Sequence, residues 1–208
     1  MKQTQWKSDI SNSFTSVDDL NRQLEENDDA VAVGNECNQK LQELENQIHE
    51  IEQYLRVNNV EIVGLPAPVI ADGETDESVI VNALNSLVGL THPIRAEDID
   101  ISHPLKSQRR DNKPVHVVRF ISRKVKYSVL AAKKAEANRQ FKFRNNDVFI
   151  NEHLNKKNRG LFAVAQERKK TLNFKCVCTK SGVVHMRKSD DSDVIVINSM
   201  EDFQRLEE

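Results

Sequence analysis

Residues Lys113–Ala135 read KPVHVVRFISRKVKYSVLAAKKA. Val115–Ile121 is a run of β-branched and aromatic residues and predicts a buried strand. Ser122 is a residue type that caps helix N-termini. It predicts a helix from Arg123 to about Asn138. The stretch holds seven Lys/Arg and no Asp/Glu. A core strand and the helix beside it therefore carry positive charge that nothing nearby in the sequence balances.

Working outward, Val60–Leu65 (VEIVGL) predicts a short strand stopped by Pro66. Thr75 is a candidate N-cap for a helix over Glu77–Leu90, with Val79, Ile80, Leu84, Leu87 and Val88 at helical spacing. Asp98–Ser102 predicts a second strand and LKSQRRDNK a basic loop. Val148–Asn151 (VFIN) predicts a fourth strand. The order β-α-β-β-α-β is that of the split-βαβ, ferredoxin-like domain, which the RRM shares. Residues 57–151 are assigned to it. Residues 152–208 form a second small unit: a basic amphipathic helix over Lys156–Leu172, with Leu161, Phe162, Val164 and Ala165 inward. A hairpin across Ser181-Gly182, a strand at Val194–Ile197 and a short helix behind a Ser199/Asp202 capping box complete it.

Upstream, Leu41, Leu44, Ile48, Ile51 and Leu55 are spaced 3, 4, 3, 4, an a/d seam. The other positions are polar, so self-association is expected over packing as a single helix on the domain. Residues 16–56 are assigned to a coiled coil and 1–15 to a disordered start. Val17, Leu20, Leu24 and Val31 follow a shifted heptad, and a stammer or break near Gly34 is expected. Leu and Ile mix at both a and d, so composition leaves dimer and trimer open. The fold class is thus α+β: a coiled coil, a βαββαβ RRM-like domain, then a small αββ(β)α domain.

The formal net charge of −2 hides a strong asymmetry. Residues 101–188 hold 23 Lys/Arg against 5 Asp/Glu, whereas residues 1–100 hold 6 against 20. A self-neutralised surface would not separate its charges this way, and a polyanionic partner is expected. Three cysteines make no disulfide framework, and no leader or membrane-spanning run is evident. An intracellular protein of the cytoplasm or nucleus is expected, with no membrane and no small-molecule substrate.

An ordinary RRM stacks bases on aromatics of its first and third strands; here the first has none and the third has only Phe120, as readily a core residue. Binding is therefore assigned to basic groups meeting phosphates. The candidates are Lys106, Arg109 and Arg110 in the basic loop, Arg119 on the third strand, and Arg123, Lys124 and Lys126 at the helix start. To these are added Arg144, Lys156, Lys157, Arg159 and Lys175. A two-residue Ser181-Gly182 turn pairs Cys178 with His185 and Cys176 with Arg187, placing Lys180, His185 and Arg187 outward. The rival for Arg119 is an internal pair with an acid such as Glu152. Cys176, Cys178 and His185 supply three ligands where structural zinc wants four, so neither metal nor other cofactor is expected. There is no nucleophile elbow or phosphate loop, and no enzyme activity is expected.

The series QYLRVNNVEIVGLP, AEDIDISH, PVHVVRFISRKVKYSVL, VFINEHLNKKNRGLF and FKCVCTKSGVVHMRK resembles the baculovirus few-polyhedra (FP) protein family over about residues 41–200. That family is similar to the first-reading-frame proteins of LINE-type retrotransposons. Pro104 stands where the family usually has Arg, and Cys178 where it usually has Trp. The resemblance implies an oligomer, a homotrimer in preference to a dimer, that packages or chaperones single-stranded RNA or DNA for a mobile element. It also implies a basic residue at Arg159. The alternative it leaves is a coiled-coil adaptor of viral FP type, acting in envelope or occlusion-body assembly.

Overall fold

The computed structural model describes residues 2–68, 72–105, 114–135 and 140–206, with backbone alone for 2–16, 18, 19, 23, 25 and 26. It divides into two compact units, Met1–Glu50 and Ile51–Glu208.

Helix α1 spans Lys2–Leu55, roughly 80 Å at 1.5 Å per residue. It starts inside the stretch expected to be disordered, and it runs unbroken through Gly34, where a break or stammer is expected. One Gly costs a helix only about 1 kcal/mol, which the surrounding turns outweigh. Leu41, Leu44, Ile48, Ile51 and Leu55 are each more than half exposed. No described residue covers the seam.

The second unit mixes helix and sheet. Strands β1 (Asn59–Val63), β2 (Ile99–Leu105), β3 (Val115–Phe120) and β6 (Phe149–Glu152) form one antiparallel sheet in the order β2-β3-β1-β6. Val60, Ile62, Val118, Phe120 and Ile150 point to one face. There they meet Ile80, Ala83 and Leu84 of α2 (Asp76–Asn85) and Val129 and Ala132 of α3 (Arg123–Ala135). The opposite face takes Asn59, Glu61, Val117 and Arg119. The alternation along β1 and β3 sets this division, because neighbouring residues of a strand point to opposite faces.

Thr75 caps α2 reciprocally with Ser78, and the Ser122 hydroxyl accepts from the Lys124 N–H at 3.2 Å. Helix α2 stops at Asn85 rather than Leu90. The Asn85 amide takes both backbone groups of Ile94, at 2.6 and 2.8 Å, and so fixes a turn where the helix would continue. A hairpin the sequence does not announce, β4 (Lys142–Phe143) and β5 (Asn146–Asp147), turns through Arg144 and Asn145, both at positive φ.

Beyond β6, α4 (Lys156–Thr171) is capped by Asn155. It packs Leu161 and Ala165 on β7 (Cys176–Lys180), β8 (Val183–Arg187) and β9 (Ile195–Ile197), closed by Phe203 of α5 (Glu201–Gln204). The register pairs Cys178 with His185 and Cys176 with Arg187, as the two-residue turn requires. Ser181 and Gly182 sit at φ 54° and 82°, the left-handed pair of a type I′ hairpin. Of the Ser199/Asp202 box, the half from the acid is present: Asp202 accepts from the Asn198 and Ser199 N–H groups.

The buried Glu152 and Lys126, together with the half-buried Gln53, join the βαββαβ unit to the C-terminal one. Glu152 accepts from Lys126 at 3.0 Å through one oxygen and from the Gly182 N–H at 3.0 Å through the other. Lys126 also donates to the Val57 carbonyl. Gln53, in the last turn of α1, accepts from the Asn155 N–H and donates to the His153 carbonyl. Its amide also lies where a Cβ on Gly182 would have to stand.

Candidate nucleic-acid interface

The expected basic residues fall into two regions with different electrostatics. The first is the face of the main sheet turned away from α2 and α3, where Val117 is buried and Arg119 exposed. Arg119 is exposed on β3, but its Nε lies 3.0 Å from Asp100. Asp100 is the extra residue of a β-bulge between Ile99 and Ile101. Arg159, in the first turn of α4, pairs with Glu61 of β1. The rival internal pairing for Arg119 thus exists, but with Asp100 instead of Glu152. His153 sits beside Glu61, its Nε2 3.7 Å from the carboxylate. Burial, together with the charges of Arg56 and Arg159, pushes that imidazole down to about 4. It is neutral at pH 7, and its approach to Glu61 is not an ion pair there.

The second region runs along the outer side of α3 to the C-terminal hairpin. Arg123 and Tyr127 are one helical turn apart and both exposed. The Arg123 guanidinium lies 5.1 Å from the ring centroid of Tyr54, on the last turn of α1. The Tyr127 hydroxyl meets the Ser181 hydroxyl at 3.2 Å, which brings the hairpin turn against the helix. Two turns further on, Lys134 is exposed and close enough to Cys178 for its charge to act on that thiol, as does Arg187. Burial nevertheless comes first and, with the neighbouring Cys176, holds the Cys178 thiol above its ordinary value. Seven helical residues rise about 10 Å, and three strand residues, Ser181 back to Cys178, rise about the same. Tyr127 with Ser181, and Lys134 with Cys178, are two places where α3 and the hairpin approach each other. Among the described residues no carboxylate forms an ion pair with Arg123, Lys124, Lys134, Lys180 or Arg187; of the five, Arg187 meets the acidic turn, donating to the Asp190 carbonyl and acting by its charge on the Asp190 carboxylate.

The remaining expected residues distribute as follows. Lys126 is not a surface group: it is 1% exposed and ion-paired to Glu152. Its stem follows the apolar face of α3, so spacing alone placed its charge on the wrong side. Arg144 forks onto Glu74, which holds the guanidinium above its ordinary value. Lys175 pairs with Asp190. Lys156 is exposed and Lys157 half-buried at the start of α4. His185 is half-buried, with Nδ1 3.0 Å from the Val183 carbonyl. Lys106, Arg109 and Arg110 lie outside the described residues. Cys176 and Cys178 are free thiols, and among the described residues no group of three or more His, Cys, Asp or Glu is placed to hold a metal.

Sequence reasoning missed Tyr54, Tyr127 and Lys134. The i, i+4 spacing of Arg123 and Tyr127 on a helix was the available signal. The place of Tyr54 was not available, because it depends on the last turn of α1 lying against α3.

Residues 155–207 match the family model described as Baculovirus FP protein domain 2. The match covers the C-terminal unit, from the N-cap of α4 to the end of α5. No curated protein matches the chain. Among the described residues no helix is long and apolar enough to cross a membrane.

Proposed function

We propose that this chain is an oligomeric, non-enzymatic protein that binds single-stranded RNA or DNA through phosphate contacts, of the packaging or chaperone type found in mobile elements. The observation that carries the reading is the α3–hairpin strip. Arg123, Lys124 and Lys134 lie on α3, and Lys180 and Arg187 on the hairpin that Tyr127 and Ser181 bring against it; among the described residues no carboxylate forms an ion pair with any of the five. Unpaired basic groups in a row suit a phosphate backbone, and release of its counterions supplies the affinity. The element order and the strand order β2-β3-β1-β6 support reading residues 57–151 as a ferredoxin-like, RRM-like domain. On this reading the domain is used from its helical side, since its sheet face pairs its own arginines. The exposed Leu/Ile seam of α1 supports self-association, with a homotrimer preferred on the resemblance to the first-reading-frame proteins. Association would multiply a weak strip into an avid binder.

The test is a titration with single- and double-stranded RNA and DNA at several salt concentrations. With about six phosphates engaged per protomer, log affinity for a single strand falls against log salt with a slope near −4. Tight binding that salt leaves unchanged removes the mechanism.

The match to an FP protein domain favours a second reading, a coiled-coil adaptor of viral FP type. An adaptor has no need of the strip. Absence of any nucleic-acid binding by an oligomeric chain selects it.

A further inference from the structure

The only two tyrosines of the chain, Tyr54 and Tyr127, come from distant parts of the sequence: Tyr54 lies beneath the Arg123 guanidinium, and Tyr127 is one helical turn beyond Arg123 on α3. Tyr54 is 66% exposed and Tyr127 43%. Neither ring fills a core. Two exposed rings close to Arg123 and to the exposed Lys124 set π-faces beside positive charge. Base–aromatic stacking needs such faces, and it is available only to bases that are not already stacked in a duplex.

Three features fix the rings. Arg123 lies over the Tyr54 ring at 5.1 Å and orients it. The Tyr127 hydroxyl meets that of Ser181 at 3.2 Å, which ties the ring edge to the hairpin turn, and the Lys126 ammonium lies 6.0 Å from the ring centroid. The backbone beneath both is rigid, since Lys126, next to Tyr127, is locked to Glu152 and to the Val57 carbonyl. The rings are thus held in place before any ligand arrives, which lowers the entropy lost on binding. The central strands of the main sheet carry Val117 and Arg119 on the face away from the helices, and the exposed aromatic there is Phe149 on the edge strand β6.

We propose that Tyr54 and Tyr127 form the base-stacking platform of this protein and give it preference for single strands over duplexes. The proposal rests on the nucleic-acid reading above and deepens it. Phosphates lie on Arg123, Lys124 and Lys180, while unpaired bases lie on the two rings. The platform takes any base, because every base has a π-face, so it selects strandedness and not sequence.

The experiment measures affinity of the full chain for oligo(dT), oligo(U) and a duplex of equal length. The variants are Tyr54→Ala, Tyr127→Ala and the two Phe replacements. Each Ala replacement is expected to weaken single-strand binding by roughly 5- to 150-fold. Duplex affinity and the salt slope stay unchanged, because no charge is lost. Tyr54→Phe and Tyr127→Phe stay within about twofold of the parent, since the π-face is what stacks. Ala variants that bind oligo(dT) and oligo(U) like the parent overturn the platform and leave the phosphate strip standing. Equal losses for single strand and duplex overturn it too. A parent chain that binds none of the three probes overturns the nucleic-acid reading itself, and the platform with it. Should an Ala variant fail to fold, Tyr127→Trp in a Trp6→Phe background gives a second readout. Its emission is quenched by saturating oligo(dT) if bases stack there, and unchanged emission overturns the platform.

Discussion

The Lys126 ammonium and the Glu152 carboxylate meet at 3.0 Å with their side chains 2% and 4% exposed. The Glu152 oxygens are shared between this helix and the Gly182 N–H of the C-terminal hairpin. Burial alone would raise the Glu152 pKa. The Gly182 N–H, the Lys126 charge and the Thr179 hydroxyl outweigh it and hold the carboxyl below its ordinary value. One buried pair therefore fixes both α3 and the hairpin, the two edges of the candidate interface.

Removing one partner strands the other charge in the interior. Lys126→Ala is expected to destabilise the second unit by about 3–5 kcal/mol, read by urea unfolding. If Lys126→Met lowers stability yet leaves the salt slope for single strands unchanged in the folded chain, its role is internal, as its burial implies. A slope that falls as it does for Arg123→Ala would place Lys126 among the phosphate contacts instead.

Acid should destabilise the unit in two steps. His153 is held neutral down to about 4, so between roughly pH 6.5 and 4 the unfolded chain binds a proton that the folded chain refuses. Stability falls as the pH drops through that window. Glu152, with its folded pKa depressed, contributes fully above its ordinary value and loses that contribution as the pH falls through the lowered one. Unfolding curves for His153→Gln should be flatter from pH 6.5 to 4.5 than those of the parent. Parallel curves would remove His153 as the cause.

Gly182→Ala should weaken the joint for two separable reasons. The left-handed φ of 82° disfavours a side chain, and the new Cβ would overlap the Gln53 amide. Combining it with Gln53→Ala relieves the overlap alone. A coupling energy of about 0.5–3 kcal/mol between the two is expected, and strict additivity would mean that Gln53 simply moves aside.

The arginines should separate in the salt titration. Arg123→Ala and Arg187→Ala are each expected to lower the slope for single strands by about 0.7. Arg119→Ala and Arg159→Ala remove groups that Asp100 and Glu61 already neutralise, and should change it less. The reverse order would move the interface to the sheet face that carries Arg119.

Leu44→Asp with Ile51→Asp puts two charges into the α1 seam. Monomers are expected in light scattering, with affinity for long single strands lowered by 10²-fold or more as avidity is lost. An unchanged mass would show that the seam is not the contact.

The elements of this protein were largely set by local sequence. Alternation gave β1 and β3 their two faces, and the Ser181-Gly182 turn fixed the pairing of Cys178 with His185, because a two-residue loop allows one register. Thr75 and Ser122 marked their helix starts through hydrogen bonds spanning only a few residues. What local sequence left open were the choices made by groups far apart in the chain. The end of α2 depends on Asn85 reaching Ile94, and the β4–β5 hairpin on two residues entering the left-handed region. Four arginines looked alike as candidates until the fold brought Asp100 to Arg119 and Glu61 to Arg159, while among the described residues no carboxylate forms an ion pair with Arg123 or Arg187. Lys126 read as surface charge because its partner, Glu152, lies 26 residues away. Hydrophobic period reports on which face a residue occupies. Only tertiary contact decides whether a charge on that face meets water, a ligand or an acid, because ion pairing depends on distance in space and carries no period along the chain.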